Sequence, residues 1–268
     1  VSFEKTAGAI ICFNRPDYTK QVLDSLEKCE ESKDIDWYIF QDGITNPITG
    51  NSYAVGKEVK AVENIVLNSN LPIKKFTQSE TNISIPQQKY LAHQLFNEYD
   101  LTIFFEDDLV VSPYYIRLLL IMANQYPDKL GSLYRQRNRG NNLYRLEYYS
   151  GARLWGYYMS RDVYSKIEKE YTEYYNQIKK IDYNVRWQTP NIRKIFTYPT
   201  IMHDVTLTRV CRKVGARKLY PYISRATYIG KNGAIAYRSE KFWHKKGMHL
   251  QPSNIFYKED KELKGFKL

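Results

Sequence analysis

Leu101-Thr-Ile-Phe-Phe-Glu-Asp-Asp-Leu-Val-Val-Ser-Pro113 is the stretch that decides how this chain folds. Its first five residues are mostly apolar and β-branched or aromatic, which marks a short buried strand rather than a helix. Three carboxylates, Glu106, Asp107 and Asp108, follow at once, and apolar residues resume at Leu109. Adjacent negative charges between apolar runs are costly, because a lone carboxylate taken from water loses its hydration without return. A positive partner is therefore expected at this strand end. Its sharpest form is a divalent cation held by hard carboxylate oxygens, with a phosphate-bearing ligand completing the shell. A solvated acidic turn would carry the same letters.

Toward the N-terminus the chain alternates. Ala7 to Phe13 is a continuous apolar run, read as a buried parallel strand, and Asn14-Arg15-Pro16 ends it and starts a helix with Asn14 as cap. That helix turns Tyr18, Val22, Leu23, Leu26 and Cys29 to one face. Trp37 to Phe40 is the next strand and closes on Gln41-Asp42-Gly43, an Asx-turn candidate. A helix carrying Val55, Val59, Val62 and Val66, a strand from Ile73 to Thr77 and a helix from Ile85 to Tyr99 follow, the last with Leu91, Ala92, Leu95 and Phe96 inward. Strand–helix units of roughly 30 residues predict an α/β domain with a mainly parallel central sheet and helices on both faces. In such sheets ligands bind beyond the carboxyl ends of the strands. Arg15, Asp42 and Glu106 to Asp108 all fall just past predicted strands. No strand–helix junction carries a GxGxxG or P-loop pattern, which argues against a dinucleotide fold and a P-loop nucleotidase.

Toward the C-terminus, Tyr115, Leu118, Leu119, Met122, Ala123 and Tyr126 make an amphipathic helix stopped at Pro127. Residues 132–149 are basic and polar and read as strands around an Arg/Gly/Asn turn. Helices are predicted near Arg161 to Tyr175 and from Val205 to Val214, with His203-Asp204 just before the second. An Asp in that place is first an N-cap. Ala216 to Tyr222 reads as a last core strand and Ser224 to Ala236 as a Gly-containing loop. From Tyr237 to Leu268 the chain is Lys-rich and weakly patterned, more tail than domain.

At 268 residues the chain suits one large α/β domain. Forty Lys and Arg against 29 Asp and Glu give a formal charge of +11, which implies an anionic partner: a phosphorylated substrate, an acidic membrane surface or nucleic acid. No nucleic-acid motif frames the basic groups, so nucleic acid is not expected. Three cysteines without a CxxC pair exclude a disulfide framework and a zinc site, and point to a reducing compartment. The longest apolar run, near Ile116 to Ala123, contains Arg117 and is too short to span a bilayer. No secretory pattern opens the chain. A cytoplasmic protein in peripheral contact with an anionic membrane is the resulting expectation.

Glu106-Asp-Asp-Leu-Val-Val-Ser-Pro113 resembles the Glu-Asp-Asp-Leu-x-x-x-Pro signature of the N-acetylglucosaminyltransferase I family, within the GT-A nucleotide-sugar glycosyltransferases. Cys12-Phe-Asn-Arg15, Gln41-Asp-Gly43, Leu154-Trp-Gly-Tyr-Tyr-Met159, His203-Asp204 and Pro221-Tyr-Ile-Ser-Arg-Ala-Thr227 with Gly230 and Gly233 are similar to further family segments, in the same order. The resemblance covers about residues 7–236. It departs where His203 and Val205 replace Asp and Trp around the catalytic Asp, where Gln87 falls near a family His, and where the family's C-terminal domain is expected to be absent or reduced to the Lys-rich tail.

The resemblance implies a single GT-A (Rossmann-like) domain over residues 1–236, with a nucleotide-sugar half of about 1–112 and an acceptor half of about 113–236, then a tail over 237–268. It implies that Asp108 ligates Mn2+ or Mg2+ bridging the diphosphate of a UDP-sugar, while Glu106 and Asp107 reach ribose or sugar hydroxyls or a metal-bound water. Asp42 would accept the uracil imide N–H, and Arg15 would lie along the base. Asp204 would be the base that deprotonates the acceptor hydroxyl in an inverting displacement. Arg225 on the Gly-flanked loop would clamp the diphosphate, and His244 or His249 could add a late metal contact. The implied activity is metal-dependent transfer from a UDP-sugar (UDP-GlcNAc first, UDP-glucose or UDP-galactose next) to a hydroxyl of a glycan or lipid-linked acceptor. Two other readings stay open: a sugar-nucleotide nucleotidyltransferase, which wants a Gly-rich phosphate loop with a Lys that is missing here, and a non-catalytic basic domain binding glycan or nucleic acid.

Overall fold

The structure, a computed structural model, describes residues 3–189, 192, 200–231 and 240–268. Gly233 of the expected donor loop lies outside the described residues. Strands β1 (Thr6–Cys12), β2 (Asp36–Gln41), β3 (Ile73–Gln78) and β4 (Leu101–Glu106) form a parallel block in the order β3-β2-β1-β4. Helices α1 (Pro16–Glu27), α2 (Gly56–Leu67) and α3 (Ser84–His93) make the crossovers. Beyond β4 the sheet continues through β8 (Tyr157–Ser160), β6 (Leu130–Ser132), β9 (Lys218–Pro221) and β7 (Leu146–Tyr149). There β6 and β9 are parallel and the other pairs antiparallel, so the sheet is mostly parallel, as the strand–helix rhythm predicts. A separate antiparallel pair joins β5 (Leu109–Val111) to β10 (Ala226–Tyr228).

Side-chain alternation along the central strands explains the two-sided burial. Ile10, Ile39 and Ile103 pack with Val22 and Leu26 of α1 and Val62 and Val66 of α2. Ala9, Ile11, Phe40 and Phe104 pack on the other face with Ala92, Phe96 and α5 (Arg161–Ile178). Successive residues of a strand point to opposite faces, so two buried faces demand an uninterrupted apolar run. Each fully buried aliphatic side chain of this kind contributes about 2 kcal/mol. Helix α4 (Tyr115–Gln125) buries Leu118, Leu119 and Met122, and the chain leaves it just before Pro127. No described helix is long and apolar enough to cross a membrane.

Four expectations give way. Asn14 does not cap α1; its side-chain amide donates to Glu58 of α2 at 3.2 Å, and Arg15 takes the capping place. The helix predicted to run to Tyr99 ends at His93 and tightens into a 3-10 turn over Gln94–Asn97. Its buried side carries Gln88, Lys89, Ala92 and His93, while Leu91 is exposed, because polar residues occupy the face that looks into the cleft described below. Helix α6 (His203–Lys213) starts two residues early, so Asp204 sits inside its first turn and Met202 precedes it without a side-chain cap.

The Lys-rich C-terminal stretch is no loose tail. Leu263 and Phe266 join the core cluster that contains Met122. The Phe266 N–H donates to Gln125 of α4 at 2.8 Å, and the Leu146 N–H donates to the Lys267 carbonyl at 2.7 Å. The letters conceal this because the anchoring apolar residues are few and follow no helical or strand period.

Candidate functional site

Because β1, β2 and β4 run parallel, their carboxyl ends gather on one edge. A cleft of about 400 Å3 opens there, lined by Arg15, Asp42, Glu106, Asp107 and Asp108 from the strand ends and by His203 and Asp204 from α6. Tyr53, Trp155, Tyr183 and Arg186 complete its walls. Six of the nine residues given a role from sequence thus share one cleft; Arg225, His244 and His249 do not line it.

The positive charge demanded by the acidic turn comes from two side chains. Arg15 donates through Nε to Asp107 at 3.3 Å and through Nη2 to Asp108 at 2.9 Å, with a further close contact from Nη2 to Asp107. Burial alone would lower the Arg15 pKa, but Asp107 and Asp108 outweigh it and hold the guanidinium firmly charged. Arg15 was expected along a nucleobase; in this structure it is engaged by the acidic turn instead. Glu106 is paired with Lys89, whose Nζ lies 2.6 Å from its Oε1. Asp108 is buried, which raises its pKa well above the usual carboxylate range; Arg15 opposes that rise while Glu106 and Asp107 add to it. Its Oδ1 is buried with no hydrogen-bond partner. Gly230 passes so close that a Cβ there would lie 2.6 Å from Asp108 Oδ2, so this approach requires glycine.

Asp42 follows β2 directly and is nearly enclosed. Its Oδ1 accepts the N–H groups of Gly43 at 3.0 Å and Ile83 at 2.8 Å and the Gln88 side-chain amide at 3.2 Å; its Oδ2 accepts the Ser84 N–H at 2.8 Å. Burial pushes its carboxyl up to about 6, against the pull of these donors. Ser84 is the one non-glycine residue in the left-handed region among those described, at φ 68°. That conformation is uncommon for a residue with a side chain, and here it aims a backbone N–H at Asp42. Asp42 lines the cleft, and its Oδ2, with one donor, keeps acceptor capacity.

Asp204 faces His203 and Lys89 on one side. His203 Nε2 is 2.7 Å from Oδ1 and Lys89 Nζ 3.9 Å from the same oxygen. Burial raises its pKa, but His203 and Lys89 outweigh burial and leave the carboxyl below the usual range. Its place in the first turn of α6 adds the positive end of the helix dipole. Oδ2 is left for a ligand. Lys89 therefore links the acidic turn to Asp204 while only 2% exposed. The sequence carried a signal for it: Ile85, Lys89, Ala92 and Phe96 form a helical stripe in which one charged residue interrupts apolar ones.

Arg225 lies elsewhere. It is fully buried in a bidentate pair with Asp260, at 2.7 Å from Nε and 2.8 Å from Nη2, and donates also to the Ile223 and Leu143 carbonyls. A guanidinium so placed anchors the C-terminal segment and does not reach the cleft. Asp260→Ala is expected to cost about 3–5 kcal/mol in denaturant unfolding, since it strands a buried charge. His244 and His249 pack against each other with tilted rings, 4.4 Å between centroids, and are not among the cleft-lining residues.

Among the described residues no group of three or more His, Cys, Asp or Glu side chains could hold a metal unaided. The partnerless Asp108 Oδ1 does fit one hard-cation ligand position, of the kind that substrate phosphates and water complete.

No protein-family model matches this sequence, and no curated protein does. Solved structures do match. GalNAc-T7 with UDP, GalNAc and Mn2+ superposes with a TM-score of 0.52 at 10% identity, over 87% of this chain and 44% of that one. The Staphylococcus aureus TarS fragment 1–349 gives a TM-score of 0.42 at 11% identity, over 66% and 55% of the two chains. The same fragment with UDP-GlcNAc gives 0.40 at 12%, over 59% and 46%. The chain spans about half the length of these structures. With a mostly parallel sheet flanked by helices and its cleft at the strand ends, the chain has the GT-A glycosyltransferase fold.

Proposed function

We propose that this protein is a metal-dependent, inverting glycosyltransferase that moves a sugar from a UDP-sugar to a hydroxyl of a glycan or lipid-linked acceptor. UDP-GlcNAc is the first donor to test, then UDP-glucose and UDP-galactose. One observation carries the reading: a carboxylate with an unpartnered oxygen, Asp108, and a separate carboxylate held below the usual range, Asp204, line one cleft, and buried Lys89 joins Asp204 to Glu106 of the same acidic turn. That GalNAc-T7 shares this fold and was solved with UDP and Mn2+ supports the choice of donor class.

In this reading residues 1–112 hold the donor and 113–236 the acceptor. Asp42 Oδ2 accepts the uracil imide N–H. Asp108 Oδ1 would hold Mn2+ or Mg2+, which supplies Lewis-acid neutralisation of charge on the departing diphosphate. Arg15 fixes the orientation of Asp107 and Asp108, and Glu106, fixed by Lys89, faces donor hydroxyls. Asp204 Oδ2 takes the proton of the acceptor hydroxyl as that oxygen bonds to the anomeric carbon and the bond to UDP breaks. Attack from the face opposite UDP inverts the anomeric configuration.

Titration calorimetry with UDP, with and without Mn2+, tests this. UDP binding that strengthens with Mn2+ and weakens by about 10-fold or more in Asp108→Ala is expected. No UDP binding in either condition overturns the proposal.

A further inference from the structure

A second cavity of about 330 Å3 opens at the outer edge of the sheet, where β7 and β9 meet α6. Its walls include Tyr148, Tyr149, Thr208, Arg212, Arg217 and Lys218, and no carboxylate. The arginines that form ion pairs among the described residues are Arg15, Arg117, Arg135, Arg139, Arg161 and Arg225. Arg212 and Arg217 thus face this cavity without an acidic partner.

Each is steered by a single contact. Arg212 Nη2 donates to the Ser150 carbonyl at 3.2 Å, and the Arg217 guanidinium carbon lies 3.7 Å from the centroid of the Tyr148 ring. A guanidinium has five N–H donors in a planar fork, so both keep donors for a ligand. Lys218 forms a positive floor. It is 3% exposed, with Nζ on the Thr208 hydroxyl and the Arg153 carbonyl, each at 3.2 Å, and on the Gly151 carbonyl. Tyr149 is braced face to face on Tyr220, with ring centroids 4.3 Å apart. The side chains are therefore pre-positioned around concentrated positive charge, within a chain of net charge +11.

The cavity is joined to the cleft through α6. Asp204, Thr208 and Arg212 follow at intervals of four on one side of that helix, which places Arg212 about 12 Å along the axis from Asp204. An acceptor with its hydroxyl at Asp204 and an extended body along α6 would bring a second group to Arg212 and Arg217. Paired guanidinium forks suit an oxyanion with several acceptor oxygens. We propose that this cavity is a phosphoryl-binding subsite that seats a phosphate of an anionic acceptor. Its role in acceptor recognition rests on the glycosyl-transfer reading; its affinity for phosphate does not.

Glycerol 3-phosphate serves as the probe, titrated into the full chain and followed by two-dimensional NMR of the arginine Nε–H signals, with UDP/Mn2+ calorimetry run in parallel. Shifts of the Arg212 and Arg217 signals are expected, with affinity falling about 10-fold or more in Arg212→Gln/Arg217→Gln while UDP affinity is unchanged. Both arginines are exposed, and a melt of the double variant matching the parent establishes its fold. No shift in the parent, or equal affinity in the double variant, overturns the subsite. Phosphate binding lost in the variant when neither protein binds UDP keeps the anion site and removes the transferase reading instead.

Discussion

Lys89→Met is expected to destabilise the protein by about 3 kcal/mol in denaturant unfolding. The parent ammonium is buried; burial lowers its pKa, but Glu106 and Asp204 outweigh burial and hold it above the usual lysine range. A lysine whose folded pKa is raised contributes stability that is complete below the unfolded value and disappears as pH rises through the folded one. Methionine fills much the same volume but leaves Glu106 without its 2.6 Å partner, so the cost is dominated by an uncompensated, largely buried charge. The same variant should move Asp204. Lys89 is one of the charges that lower its pKa, so removing it raises the Asp204 pKa and shifts the acid limb of the transfer pH–rate profile upward. Lys89→Arg keeps the charge and should restore part of the stability. A Lys89→Met protein as stable as the parent, with an unmoved pH profile, would show that Lys89 links nothing of consequence.

Asp204→Asn is expected to lower sugar transfer by about 10^2- to 10^4-fold, the usual worth of a positioned general base. UDP binding with Mn2+ should remain within about twofold, because Asp204 lies on α6 while the proposed donor contacts lie at the strand ends. Asparagine preserves the shape beside His203 and Lys89, and Lys89 keeps Glu106, so the fold should survive. In the parent, the Asp204 carboxyl is held below the usual aspartate range, so the proposed base is ionised throughout neutral pH and transfer should fall only in clear acid. The readout is UDP release from UDP-GlcNAc in the presence of acceptor, with single-turnover rates separating binding from chemistry. Transfer at the parent rate in Asp204→Asn places the base on another residue.

The two predictions differ in how legible their residues were. Asp204 stood out as a carboxylate beside a helix start within a familiar segment order. Lys89 did not, because a lysine in a helix is ordinarily solvated, and its place in the stripe of Ile85, Ala92 and Phe96 is a faint signal until packing shows it buried. The same blindness produced the inverted face of α3: apolar Leu91 reads as core, yet the buried side is the one that serves Asp42 through Gln88 and Glu106 through Lys89. Arg225 failed in the opposite direction. Its neighbouring glycines suggested a clamp over the donor, but its partner, Asp260, is 35 residues away in a stretch with no pattern of its own.

By itself the sequence determined the parallel block β1 to β4, because a strand buried on both faces needs an uninterrupted apolar run, and such runs recur with helical stripes between them; β8 and β10, short and set among basic and Gly-containing stretches, were not legible as strands. It also determined that charge gathers beyond the strand ends, since parallel strands bring all their carboxyl ends to one edge. Tertiary structure alone decided which charge meets which. Arg15 answers Asp107 and Asp108, Lys89 answers Glu106 and Asp204, and Arg225 is drawn away by Asp260. Those choices turn on distances of a few ångströms and on exclusion of water, quantities that arise only when distant segments pack, and that no local spacing encodes.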